Sequence, residues 1–233
     1  MKFGIIVFPG SNCDDDCRYV MTELMQQDSF FLWHKTEDLN GADCLILPGG
    51  FSYGDYLRCG AMAANSPIMK TVKSFADNGG IVIGICNGFQ ILQEASLLPG
   101  TLIRNKNLKF ICKNIHIRVE SNNTPFTNTC RGSEVLKMPI AHMDGNFFVD
   151  KKQLQKLEES GQVLLKYCNE DGEPNEEFCP NGAVGNVAGV TNLEGNVCGL
   201  MPHPERCSEK ILGNQDGLKI FGSIVSYLNT KNR

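Results

Sequence analysis

Residues 81–90 read Ile81-Val82-Ile83-Gly84-Ile85-Cys86-Asn87-Gly88-Phe89-Gln90. The apolar run before Cys86 predicts a fully buried strand, and the residues from Asn87 onward can begin a helix at once. Gly84 and Gly88 leave room for a sharp turn around the cysteine, where larger side chains would collide. This stretch therefore predicts a strand–nucleophile–helix elbow in an α/β protein.

An elbow of this kind places the sulfur of Cys86 at the N-terminus of the helix that follows it. Negative charge is favoured at that end of a helix, and the free backbone N–H groups there can stabilise a developing oxyanion. The alternative is a buried structural cysteine that happens to lie between two glycines. That alternative stays open at this point, because the chain has 11 cysteines.

Further strands on the N-terminal side of the elbow indicate the sheet to which it belongs. Apolar runs at Lys2–Phe8, Phe30–Trp33 and Cys44–Leu47 alternate with helical stretches predicted at about 14–27 and 67–77. Continuous apolar strands that alternate with helices are typical of a parallel sheet covered by helices on both faces. Asp14–Asp16 are expected to lie at the start of the first helix, where they either cap it or contact a partner; the cap is favoured.

The second half of the chain shows a different pattern. Ile115, Ile117 and Val119 alternate with polar residues, as in a strand with one solvated face, so an antiparallel extension of the sheet is expected. Further strands are predicted at Val135–Ile140, Gln162–Tyr167, Val187–Thr191 and Val197–Leu200, and a last helix carries Leu218, Phe221, Val225 and Leu228 on one face. Residues 1–233 show no linker and are expected to form a single domain.

Composition excludes several classes of function. The net charge is −4 and the isoelectric point is about 5.6, so no broad basic field exists to attract nucleic acid or a membrane surface. No apolar run is long enough to span a bilayer. The odd cysteine count and the missing secretory signal favour reduced thiols in a cytoplasmic protein, and no paired zinc-ligand pattern is present.

Two distant segments supply partners for a nucleophilic cysteine. Gly49 and Gly50 follow an apolar strand and can turn a backbone N–H toward a site, although an ordinary loop would have the same sequence. His203 and Glu205 follow the last strand and offer a general base and the carboxylate that orients it. A His-x-Glu pair alone is a weak signal, since most loop histidines do no chemistry.

Longer motifs identify a family. The segments 8–14 (Phe8-Pro9-Gly10-Ser11-Asn12-Cys13-Asp14), 48–60, 84–90 and 195–206 together resemble the triad (class I) glutamine amidotransferases, and most closely the glutaminase subunits of phosphoribosylformylglycinamidine synthase. The resemblance spans about residues 3–228. It implies a flavodoxin-like fold. It also implies an enzyme that hydrolyses L-glutamine through a cysteine thioester and passes the ammonia to a synthetase in purine biosynthesis.

The resemblance also implies roles for individual residues. Cys86 would be the nucleophile, His203 the base and Glu205 its orienting group. The N–H groups of Gly50 and Asn87 would form the oxyanion hole, and the residues expected to bind substrate are Gly49, Phe51 and Gln90. No metal or cofactor is expected in this chain; ATP and magnesium are expected on the synthetase partner, which a small bridging subunit would join.

One segment departs from the family. His142-Met143-Asp144-Gly145 stands where the family usually has His-Gly-Glu-Gly, so His142 and Asp144 are at least as well explained as loop contacts without chemistry. Two alternative functions also remain. The chain could serve another synthetase, such as those for anthranilate, GMP or pyridoxal phosphate, or it could be a thiol sensor without activity.

Overall fold

A computed structural model describes residues 1–231 of this chain. Nine of its strands form one sheet, in the spatial order β2-β1-β3-β4-β11-β10-β9-β6-β7, and the remaining two form a small antiparallel pair. The strands are β1 (Lys2–Val7), β2 (Asp28–Trp33), β3 (Cys44–Leu47), β4 (Ile81–Ile85), β5 (Thr101–Ile103), β6 (Ile111–Val119), β7 (Val135–His142), β8 (Asn146–Phe148), β9 (Val163–Cys168), β10 (Val187–Thr191) and β11 (Val197–Leu200).

The parallel half of the sheet positions the candidate site. Strands β2, β1, β3, β4 and β11 run parallel, with Leu47 beside Gly84 and Leu200 beside Ile85. The chain leaves β3, β4 and β11 at the same edge, because parallel strands end on the same side. Residues 48–50, Cys86 and residues 201–205 therefore meet at the carboxyl edge of the sheet, where open α/β sheets bind ligands.

The antiparallel half extends the sheet beyond β11. Each of β10, β9, β6 and β7 pairs in antiparallel fashion with its neighbour. The prediction of an α/β fold with a parallel sheet and an antiparallel extension is confirmed. Strand β7 also reaches the site, because the Pro139 carbonyl accepts a hydrogen bond from the His203 N–H at 2.8 Å.

The helices cover the sheet and add elements that the sequence patterns did not predict. They are α1 (Asp14–Tyr19), α2 (Ala61–Ala64), α3 (Ile68–Asp77), α4 (Asn87–Glu94), α5 (Lys151–Glu159) and α6 (Gly217–Lys231). The helix expected over 14–27 is α-helical only to Tyr19 and continues as a π-helical turn over Val20–Leu24. None of the helices in residues 1–231 combines the length and the hydropathy that crossing a bilayer requires.

Candidate active site

Cys86 lies in a strained turn between β4 and α4. Its backbone has φ 50° and ψ −103°, in the region that residues other than glycine rarely adopt. The turn is held in place by the Cys86 N–H, which donates to the Leu200 carbonyl at 2.8 Å. The side chain is buried, and its Sγ lies 3.7 Å from the carbonyl oxygen of Ala141. The predicted elbow is confirmed.

The two glycines around Cys86 are required by close packing. A Cβ at Gly84 would lie 2.6 Å from the backbone of Gly88, and a Cβ at Gly88 would lie 2.0 Å from the carbonyl oxygen of Leu47. Helix α4 therefore packs directly on β4 and β3. This packing leaves the sulfur at the helix N-terminus, above the edge of the sheet.

His203 and Glu205 form a buried pair beside this turn. The imidazole Nδ1–H donates to Glu205 Oε1 at 2.5 Å, and both side chains are almost fully shielded from solvent. Burial alone would lower the pKa of His203. The carboxylate of Glu205 and the nearby sulfur of Cys86 outweigh burial and raise the pKa of His203 well above 6.5. The imidazolium form of His203 is therefore favoured beside the Glu205 carboxylate.

The other imidazole nitrogen of His203, Nε2, has no hydrogen-bond partner in the described part of the chain. Among residues 1–231, Nε2 is buried and no donor or acceptor meets it with hydrogen-bond geometry, although the Cys86 sulfur lies close enough to raise the pKa of the ring. A buried nitrogen without a partner is costly in a structural role. It fits a group that accepts and returns a proton during a reaction.

A second sulfur lies beside Nδ1, the imidazole nitrogen that also meets Glu205. Cys13 Sγ is 3.8 Å from His203 Nδ1, and the Arg206 guanidinium donates to this sulfur at 3.0 Å. Burial raises the pKa of the Cys13 thiol, so it stays protonated near neutral pH. Asp14–Asp16 lie in the first turn of α1 as expected, but no side chain caps this helix through a hydrogen bond, and the Asp16 carboxylate pairs with Arg206 at 3.5 Å.

Gly49 makes room for the base. A Cβ on this residue would lie 2.7 Å from His203 Cε1 and 3.2 Å from Cys13 Sγ. Gly49 was expected to contact the substrate, but it does not line the cavity described below, because it faces the imidazole. Its carbonyl accepts hydrogen bonds from the N–H groups of Asn12 and Cys13 at 3.1 and 3.0 Å, which ties the 8–14 motif to the site.

The residues expected to form the oxyanion hole carry free donors. Among residues 1–231, neither the Gly50 N–H nor the Asn87 N–H donates a hydrogen bond. Gly50 has φ 152°, and a Cβ there would lie 2.7 Å from the backbone nitrogen of Asn12. Asn87 is the first residue of α4, where N–H groups have no partner within the helix. Two backbone donors are thus available at the sheet edge beside Cys86.

A small cavity opens onto the sulfur. Its volume is about 30 Å³, and it is lined by Gly50, Phe51, Asp55, Cys59, Cys86, Gln90, Ala141, His142, Met143 and Asp144. At roughly 10–15 Å³ per water it has room for about two water molecules. Phe51 and Gln90, which were expected to contact substrate, both line it.

A chain of hydrogen bonds joins three walls of this cavity. The Asn87 side chain accepts from the Ser52 N–H at 3.1 Å and donates to Gln90 Oε1 at 2.8 Å. Gln90 Nε2 donates in turn to the Asp144 carbonyl at 2.7 Å. The loop after β3, helix α4 and the loop after β7 therefore hold one another in register.

His142 and Asp144, from the segment that differs from the family motif, both line this cavity. His142 Nδ1 contacts Asn105 Oδ1 at 3.0 Å, and burial lowers the pKa of His142 to about 4, so it is neutral. Asp144 accepts a weak hydrogen bond from the Cys59 thiol at 3.7 Å. Asp55, which the sequence analysis did not single out, adds a second carboxylate with a buried oxygen that has no hydrogen bond in residues 1–231.

The site also contains a group of potential metal ligands. One ligand atom each from Cys13, His203 and Glu205 lies within 4.8 Å of the others. These are ligand types that zinc accepts. The Arg206 guanidinium already lies against the Cys13 sulfur and disfavours a cation there. The group is better explained as a general base with its orienting neighbours.

Comparison with known proteins agrees with this geometry. The model of the CobB/CobQ-like glutamine amidotransferase domain matches residues 1–227. The fold and site thus define a glutamine amidotransferase. Curated relatives named phosphoribosylformylglycinamidine synthase subunit PurQ include those of Moorella thermoacetica, 54% identical over 97% of this chain and 96% of that protein, and Aquifex aeolicus, 52% identical over 97% and 100%.

A solved structure gives the same result. A chain in the structure of PurLQS from Thermotoga maritima is 41% identical, superposes with a TM-score of 0.85, and covers 97% of this chain and 98% of its own length. The chain therefore belongs to the PurQ family, the glutamine amidotransferase subunits of phosphoribosylformylglycinamidine synthase, which act in purine biosynthesis.

Sequence reasoning identified the three central residues but missed several neighbours. Cys13, Asp55, Cys59 and Arg206 belong to the family motifs, but the sequence alone predicts no role for them. The available signal was their position inside motifs that already flank the site.

Proposed function

We propose that Cys86, His203 and Glu205 hydrolyse L-glutamine to glutamate and ammonia. The observation that carries the proposal is the buried His203 ring, which meets Glu205 through Nδ1, has no hydrogen-bond partner at Nε2 among residues 1–231, and lies close enough to the Cys86 sulfur for that sulfur to raise the pKa of His203. A base that is oriented on one nitrogen and free on the other is the arrangement that nucleophilic catalysis requires.

The chain's own groups account for each step. The Cys86 thiolate adds to the carboxamide carbon of glutamine, and the N–H groups of Gly50 and Asn87 hold the resulting oxyanion. The His203 imidazolium gives its proton to the leaving nitrogen, so ammonia departs and a thioester remains. Water then attacks the thioester while neutral His203 takes the water proton, and glutamate and the Cys86 thiol are released.

The cavity walls suit the rest of the substrate. Asp55 and Asp144 place two carboxylates beside the sulfur, where they would attract the α-ammonium group of glutamine, and Gln90 and Phe51 line the same space. The cavity measures about 30 Å³ in the free chain, and we expect it to widen in the complex. The free chain is expected to be a poor glutaminase, because hydrolysis without an acceptor would waste glutamine.

The proposal includes the partners. Ammonia passes to the synthetase subunit, which uses ATP and magnesium to convert formylglycinamide ribonucleotide to its amidine, and a small bridging subunit joins the two. The name PurLQS of the Thermotoga maritima structure supports this assembly. Residues 1–233 act as a single amidotransferase domain that needs no cofactor of its own, in the cytoplasm.

Replacement of Cys86 tests the chemistry. In the reconstituted complex, Cys86→Ala should lower glutamine-dependent amidine formation about a thousandfold or more and leave ammonia-dependent formation intact. Cys112→Ala is the matched control, because Cys112 is the exposed cysteine among the described residues. Loss of both activities in Cys86→Ala, or of neither, contradicts the assignment.

A glutamine-like diazo-ketone separates the enzyme from a thiol sensor. It should label Cys86 and no other cysteine, and labelling should be lost in His203→Ala. Labelling spread over several cysteines would favour a sensor, and ammonia delivery to a different acceptor would favour another synthetase.

A further inference from the structure

Residues 51–60 form a loop, here called the 51–60 loop, with an unusually apolar outer tip. Tyr56 is 75% exposed and Leu57 is 91% exposed, and Phe51 at the start of the loop is 49% exposed. Large side chains that lie together in solvent beside a functional site indicate a surface that a partner covers. The glutaminase chemistry does not need these two tip residues, because neither lines the cavity.

The inner side of the same loop lines the cavity beside Cys86. Phe51, Asp55 and Cys59 form part of its lining. The Cys59 thiol also bonds to the Asp144 carboxylate across the cavity, at 3.7 Å. A shift of the tip would also move these three lining residues, because tip and lining residues belong to the same short loop.

The loop is fastened to the elements that hold the nucleophile. Arg58 makes a two-pronged ion pair with Glu94 at the end of α4, with N···O distances of 2.6 and 2.5 Å. A Cβ on Gly60 would lie 2.7 Å from the backbone nitrogen of Ile91, so the loop packs directly on α4. At its other end, the Tyr53 hydroxyl lies 2.9 Å from His34 Nδ1.

The backbone of the loop is strained between these anchors. Tyr53, Asp55 and Leu57 have φ values of 53°, 54° and 69°, in the left-handed region that side chains with a Cβ disfavour. Strain of this kind persists only where the surroundings hold it, and it makes a second loop conformation accessible. Release of the strain can therefore accompany a change at the cavity.

We propose that the tip of the 51–60 loop docks on the synthetase subunit and that this contact opens the glutamine cavity. The proposal rests on the proposed function. The synthetase is the expected occupant because ammonia freed at Cys86 must enter that subunit without escaping, so its surface must lie beside the cavity mouth. On docking, the synthetase surface replaces the solvent around Tyr56 and Leu57. Asp55 and Cys59 then move away from the cavity, which becomes wider.

Leu57→Asn tests the proposal. Asparagine tolerates the left-handed backbone of Leu57 while it removes the apolar contact. Leu193→Asn is the matched control, because Leu193 is 73% exposed and precedes β11, at the opposite edge of the sheet from Cys86. The synthetase is titrated into each variant in the presence of the bridging subunit, glutamine and ATP, and glutamate release is followed.

Leu57→Asn should reduce the stimulation of glutaminase by the synthetase at least about tenfold, the size expected for an apolar anchor at an interface. Basal glutaminase and ammonia-dependent amidine formation should not change, and Leu193→Asn should behave as wild type. Wild-type stimulation of Leu57→Asn would overturn the proposal.

A photo-crosslinking residue in place of Leu57 identifies the occupant. Capture of the synthetase supports the proposal. Capture of the bridging subunit or of a second copy of this chain would overturn it while leaving the glutaminase assignment intact. A wild-type complex that makes amidine from ammonia but never from glutamine would refute the proposed function itself.

Discussion

Replacement of Glu205 by Gln removes one charge from the catalytic pair and keeps its shape. Glutamine can still accept a hydrogen bond from His203 Nδ1, so the ring keeps its orientation. The variant loses only the electrostatic stabilisation of the imidazolium. Without the carboxylate, burial dominates and lowers the pKa of His203, which disfavours the imidazolium–thiolate form.

The size of the effect follows from Coulomb's law. The Nδ1 to Oε1 distance is 2.5 Å in the wild type. With charge centres about 4 Å apart and an effective dielectric constant of about 20, the attraction is about 4 kcal/mol. Since about 1.4 kcal/mol corresponds to a tenfold change, kcat/KM for glutamine should fall about a thousandfold.

The assay is glutamate release by the reconstituted complex as a function of pH, with ammonia-dependent synthesis as the control. The fall in rate at alkaline pH, which reports loss of the imidazolium proton, should move to lower pH in Glu205→Gln. An unchanged alkaline limb, or a loss of less than about tenfold in kcat/KM, would refute the reasoning.

The Glu205 carboxylate also makes the folding stability depend on pH, through the proton of His203. The folded-state pKa of His203 lies above the ordinary value of 6.5. The proton therefore stabilises the fold fully below pH 6.5, and this stabilisation is lost as the pH rises through the folded-state pKa. The difference in melting temperature between wild type and Glu205→Gln should be largest on the acid side and should shrink at alkaline pH.

Three further substitutions test the packing around the site. Gly49→Ala should lower kcat about a hundredfold and the free energy of unfolding by about 1–3 kcal/mol, because its Cβ would press on the buried His203 ring at 2.7 Å; wild-type activity would contradict this. Gly88→Ala places a Cβ 2.0 Å from the Leu47 carbonyl and should lower the free energy of unfolding by about 3 kcal/mol or more, measured by denaturant titration. Cys13→Ala should lower kcat about tenfold without changing the melting temperature by more than about 5 °C, because a looser ring misplaces the base.

The sequence predicted those parts of the fold where one physical constraint acts alone. Strands β3, β4, β10 and β11 have the predicted bounds, because each is a short, mostly apolar run with a proline or an asparagine within two residues of its C-terminal end. The elbow was predictable because a turn at Cys86 needs glycine at 84 and 88.

Other elements depend on contacts that a single sequence does not show. Helix α5 was missed because Leu157 is its only fully buried residue, although the Asp150 side chain accepts from the Gln153 N–H in a capping pattern that could have indicated it. Strands β5 and β8 have three residues each, too short for a periodic signal.

The candidate site likewise contains residues that the sequence predicts and residues whose roles depend on tertiary contacts. The central three residues were predictable from their chemistry and from the family motifs. The contact of Cys13 with Nδ1 of the imidazole joins residues 190 positions apart, and no local pattern predicts it. The role of Gly49 likewise depends on the position of the His203 ring, which only the folded chain defines.

The left-handed backbone at Cys86 limits how far this protein can be stabilised while it remains active. A glycine at position 86 would adopt φ 50° without cost and should raise the melting temperature, yet it would remove the sulfur. Thermostability screens without an activity requirement should therefore recover inactive variants at this position. In libraries selected for both properties, improvements should come from sites distant from the carboxyl edge of the sheet.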